Sequence, residues 1–92
     1  MTRSLVRSES ASLVRWVFGR GSRVLTCEVR ANDEGQFDVY IVPLWDVKAA
    51  IIEAYDRASG AMRRHAEIAT AFRQAGWVVA RETTKHGTEV AA

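Results

Sequence analysis

The chain has few of the residues that close small folds covalently or bend them sharply, with one cysteine, one proline and six glycines among 92 residues. A lone Cys27 permits no intrachain disulfide and excludes a four-cysteine zinc site. Long apolar runs are missing too. The longest, Ile41–Trp45 and Ala49–Ile52, fall far short of the ~18 residues of a membrane-spanning helix, so no membrane role is expected. No secretory signal is read at the N-terminus, where Arg3 and Arg7 are followed by Ser, Glu and Arg15 instead of an apolar stretch. A free thiol without an export signal belongs in a reducing compartment, so a cytoplasmic location is expected. A large excess of one charge is also absent. The net charge of +2 is not the strongly basic balance typical of nucleic-acid-binding domains.

What is present is the composition of a folded domain. Hydrophobic residues at 48% and charged residues at 26% exclude a disordered chain, a collagen and a coiled-coil rod. A chain of this length is one domain, burying roughly 60–65% of its unfolded surface. The charges are segregated. Residues 1–30 carry six arginines against two glutamates, residues 31–56 six acids against Lys48, and residues 57–92 six basic residues against three glutamates. Alternating blocks of this kind favour self-association through complementary patches.

Residues 1–10 are rich in Ser and Arg without periodicity and are expected to be disordered. A single α+β domain is expected over 11–82, and a flexible tail over 83–92. From Ser12 the pattern has period two, with Val14, Trp16 and Phe18 on one face and Leu13, Arg15 and Val17 on the other. Gly19-Arg20-Gly21-Ser22 predicts a tight hairpin turn. A second strand follows, with Leu25, Cys27 and Val29 inward and Val24, Thr26, Glu28 and Arg30 outward. Asn32-Asp33-Glu34-Gly35 predicts another turn. The third strand puts Phe37, Val39 and Ile41 inward and Asp38, Tyr40 and Val42 outward, and Pro43 ends it or marks an edge. The three strands form an antiparallel meander.

A helix is predicted over 57–75. Ala58, Ala61, Met62, His65, Ile68, Ala69 and Phe72 share one face, Asp56 suits the N-cap, and Gly76 suits the left-handed position past the end. Residues 46–56 fit either a helical stripe or a strand. The strand reading is preferred, with Val47, Ala49, Ile51 and Tyr55 on one face, because a continuous helix would hold Ser59-Gly60 in its middle. Residues 77–81 are expected to add a short C-terminal strand.

The segments Trp45-Asp46, Ala54-Tyr55-Asp56, Arg64-His65-Ala66-Glu67-Ile68-Ala69 and Ala75-Gly76-Trp77 together resemble a family of small bacterial proteins with no assigned activity. The resemblance covers about residues 40–80. It implies a strand before Asp56 and a helix running into the Gly-Trp pair, and it carries over no catalytic residue. The proline often found shortly after the Asp in that family is missing here, which leaves the cap geometry open.

Chemistry-bearing residues are sparse. His65 points into an apolar stripe, where it is a general base, a metal ligand, a pH switch or a core histidine bonded to a backbone carbonyl. The last reading is preferred, because no second ligand lies three or four residues away. Cys27 alternates inward and reads as a small buried hydrophobe. Gly19-Arg20-Gly21 precedes a strand, so it does not cradle phosphate. No metal or cofactor site is expected.

One helix covers one face of a sheet, leaving Leu13, Arg15, Val17, Val24, Arg30, Tyr40 and Val42 on the other. The expected function is therefore a non-catalytic module that forms a homodimer through this face. Two alternatives stand beside it: a nucleic-acid-binding or regulatory surface built on Arg15, Arg30 and Tyr40, and a small-ligand binder or enzyme using His65.

Overall fold

The computed structural model describes residues 12–84. The expectations for residues 1–10 and for the tail beyond 84, His86 included, lie outside the described residues. Period-two alternation becomes three strands, β1 (Ser12–Arg20), β2 (Arg23–Ala31) and β3 (Phe37–Pro43), followed by β4 (Ile51–Tyr55), the helix α1 (Ala58–Gln74) and β5 (Val78–Thr84). The strands form one antiparallel sheet in the order β4-β3-β2-β1-β5. The class is α+β, as the pattern predicts. The C-terminal strand is longer than expected and runs to Thr84, past the boundary read at 82. It pairs with the first strand, which takes its polar residues into the ladder.

Local chemistry explains the connections. Arg20 pairs with Arg23 across the first hairpin, and Gly21 takes φ +61 with no other positive φ beside it. That places glycine first of the two central residues, as a type II′ turn requires. In the second turn the Asn32 Oδ1 accepts from the backbone N–H of Glu34 at 2.8 Å and of Gln36 at 3.0 Å, while Gly35 supplies φ +78. The helix ends in a complete Schellman motif. The Trp77 amide donates to the Phe72 carbonyl at 2.9 Å and the Gly76 amide to Arg73 at 3.1 Å, with Gly76 at φ +96. Pro43 closes β3 where β4 has not yet begun to pair, since the β3–β4 ladder starts at Ile41 opposite Ile51.

Three expectations are corrected. Asp56 is not the N-cap. Arg57 holds that position without a side-chain cap bond, and the Asp56 carboxylate accepts from Gln36 Nε2 at 3.2 Å instead. The fourth strand is confined to 51–55. Val47 and Ala49, read as strand residues, lie in a 3-10 turn and are exposed. Met62, read as core, is 40% exposed. It sits at the border of the helical stripe, whose buried members are Ala61, His65, Ile68 and Ala69.

The core lies between α1 and the three central strands. Phe18, Cys27, Val29 and Val39 are completely buried, and Ala61, Ile68 and Ala69 close over them from the helix. Register explains the rows. Val14 faces Val29, which faces Val39, and Trp16 faces Cys27, which faces Ile41. A chain of rings runs through this layer: Trp16 to Phe18, Phe18 to Phe72, Phe72 to Trp77 and Trp77 to Trp45, with centroids 5.4–6.0 Å apart. Spacings in this range suit edge-to-face and offset-stacked pairs. Phe18→Ala is expected to cost about 3–5 kcal/mol, while Met62→Ala costs under about 1 kcal/mol. Urea unfolding of the two variants checks the contrast, and equal losses would mean that the helix face is misassigned.

Candidate interaction surface

The helix covers one face of the sheet, and strand register assembles the other. Val17, Thr26 and Val42 form one row across β1, β2 and β3. Beside it run Arg15, Glu28, Tyr40 and Ile52 across four strands, and then Arg30, Asp38 and Ala54. Thr26 is buried between its valine neighbours, whereas Ile52 is 58% exposed at the edge. The Arg30 guanidinium lies 5.4 Å from the centre of the Tyr40 ring, a cation–π contact along the surface.

Six of the seven residues expected on this face, Arg15, Val17, Val24, Arg30, Tyr40 and Val42, are brought together there. Leu13 is not one of them. The register shifts between Ser12 and Val14, so Leu13 is the extra residue of a bulge and packs against the core cluster. Ile52 and Ala54 were missed, because only the register of β4 puts them beside Tyr40 and Asp38. Alternation within 51–55 was the available signal, and the competing helical stripe obscured it.

His65 and Cys27 lie on the opposite side, under the helix. The His65 Nε2–H donates to the Cys27 carbonyl at 3.2 Å, and the ring meets Trp16 edge-on at 5.5 Å between centroids. Burial lowers the His65 pKa below its ordinary 6.5, with the hydrogen bond to Cys27 opposing this. The Cys27 thiol is pushed up to about 12, first by burial. A thiol held there stays protonated and non-nucleophilic near neutral pH.

At the helix edge of the sheet, Glu53 accepts from Tyr55 Oη at 2.8 Å and from Arg64 Nε at 2.9 Å. The Arg64 hydrogen bond, then that of Tyr55, holds the Glu53 carboxyl below its ordinary range. The pair joins β4 to α1 across a half-exposed gap, where an ion pair contributes little to stability. Among the described residues, no group of three or more His, Cys, Asp or Glu side chains is placed to hold a metal ion. No helix among them is long and apolar enough to cross a membrane. Comparison with protein-family models, with curated proteins and with solved structures finds no match to this chain.

The buried imidazole makes stability depend on pH. Its folded pKa lies below the unfolded 6.5, so the unfolded chain binds the proton more tightly. Stability is complete above about pH 6.5 and falls as the pH drops from there through the folded value, by up to about 1.4 kcal/mol per pH unit. Glu53 adds a second decline only below its ordinary 4.5. The urea midpoint of the parent should therefore drop between pH 7.5 and 5.5. His65→Gln should be less stable at pH 7.5 but lose little more on acidification. An equal drop in both proteins would assign the effect to another group.

Proposed function

We propose that this chain is a small, non-catalytic, cytoplasmic interaction module that forms a homodimer through the helix-free face of its sheet. The observation that carries this reading is the asymmetry of the sheet. The middle of one face is covered by α1, while the other face sets Val17, Val24, Val42 and exposed Ile52 among Arg15, Arg30 and Tyr40. That mixture of valine, tyrosine and arginine without lysine is what association surfaces favour. The same face carries Glu28 and Asp38 beside Arg15 and Arg30, so a two-fold contact can set opposite charges against each other. The likeness to small bacterial proteins around Trp45-Asp46 and Ala75-Gly76-Trp77 supports a bacterial setting.

A non-catalytic role is favoured because the two most reactive side chains are committed to the core. His65 bonds a strand carbonyl, and Cys27 holds its proton. A nucleic-acid role for this face is less favoured. Glu28 and Asp38 set negative charge among Arg15 and Arg30 on this surface.

The test is sedimentation equilibrium of the parent and of Val17→Asp. The parent is expected to be a dimer at micromolar concentration. The variant is expected to be monomeric with an unchanged far-UV circular dichroism spectrum, because Val17 lies on the uncovered face. A parent that stays monomeric at every concentration ends the proposal.

A further inference from the structure

One end of the sheet gathers an exposed ring, Trp45, backed by Trp77 at the margin of the core, and cations that the proposed dimer face does not use. Arg20 and Arg23 stand directly opposite each other at the first hairpin, a like-charged cross-strand pair that costs stability. Both lie on the helix side of the sheet. The Arg23 guanidinium is 4.9 Å from the centre of the Trp45 ring, and a Cβ built on Gly76 would lie 3.3 Å from Arg20 Nε. Trp45 stacks on Trp77 with the rings 12° from parallel and 6.0 Å between centroids, and it remains 46% exposed. Lys48 follows in the adjoining 3-10 turn, and Arg73 lies in the last turn of the helix. Asp46 is the acid nearest in sequence to this group. Among the described residues, Arg20, Arg23, Lys48 and Arg73 make no salt bridge.

We infer that this end of the molecule, built from Arg20, Arg23, Trp45, Trp77, Lys48 and Arg73, binds single-stranded nucleic acid. An exposed indole accepts any base face by stacking, and cations beside it meet the phosphates. Arg23 already shows how such a base would sit, since its planar guanidinium rests over the Trp45 ring. A base that takes that place frees Arg23 to reach a phosphate. Trp77 supports Trp45 from a rigid position, because its backbone closes the Schellman motif. The anionic backbone also relieves the repulsion between Arg20 and Arg23. The site is separate from the proposed dimer face, so a monomeric protein would bind as well as a dimeric one.

The experiment is fluorescence anisotropy of a labelled deoxythymidine oligomer of about twelve nucleotides with the full chain, from about 50 to 200 mM salt. Binding is expected, with affinity falling steeply with salt and Trp emission quenched as a base stacks. Arg20→Gln with Arg23→Gln should flatten the slope of log affinity against log salt by roughly one and a half, at about 0.7 for each phosphate that is no longer neutralised. Trp45→Ala should weaken binding about ten-fold or more, and a duplex of the same length should bind less tightly than the single strand. Circular dichroism establishes that each variant is folded, and the arginine variant carries the test if Trp45→Ala is not. Failure of the parent to bind at low salt overturns the inference. So does a salt slope left unchanged by the double arginine substitution, or binding that favours duplex, whatever the oligomeric state.

Discussion

A single seventeen-residue helix has to cover five strands. At 1.5 Å per residue it is about 25 Å long, but with side chains it is only about 10 Å wide. Five strands spaced ~4.8 Å apart span nearly twice that width. The helix therefore seals the middle of the sheet and leaves its margins open. Among the strands, the completely buried side chains all come from β1, β2 and β3. Towards the margins the same face carries Glu53 on β4 and Glu82 on β5, residues that the interior could not hold without partners. Arg64 reaches from the helix to meet Glu53 where apolar packing has ended. The uncovered face and the aromatic end of the sheet follow from the same shortage of helical cover.

Period-two alternation made the three-strand meander and its inward rows legible, since Val14, Phe18, Leu25, Cys27, Val29 and Val39 all enter the core. Turn chemistry was equally direct at Gly21, Asn32, Gly35 and Gly76, where a positive φ or a side-chain cap allows few residue types. What failed was whatever depended on a neighbour far away in the chain. Asp56 has the chemistry of an N-cap, but Gln36 from the preceding hairpin engages it. Leu13 has the parity of an outward residue, but a bulge shifts it, and no single strand's pattern records a bulge in its pairing. Met62 lies on the helical stripe, but at 40% exposure it stays outside the buried set of Ala61, His65, Ile68 and Ala69.

The surfaces divide the same way. Most of the helix-free face was legible, because it is the complement of the alternating core. The grouping of Arg20, Arg23, Trp45 and Trp77 was not, because it joins a hairpin, a loop and a helix end that lie apart in the sequence. Each residue read alone was ordinary: an arginine beside a turn, a tryptophan at the end of a strand, another after a helix.

The pairing of the last strand with the first has a kinetic consequence. The β1–β2, β2–β3 and β3–β4 ladders join neighbours in sequence and close across short connections. The β1–β5 ladder brings Val14 to Thr84, seventy residues away. The closure entropy of so long a loop has to be met before its contacts return anything. The meander can therefore assemble early, leaving β1 as an unpaired edge until the helix has docked and delivered β5. During that interval the alternating Val14, Trp16 and Phe18 strand offers an open row of backbone donors and acceptors to any other chain. The Trp77 amide bound to the Phe72 carbonyl shortens the interval, because it fixes the start of β5 to the helix. Docking the helix and closing the edge become one cooperative step.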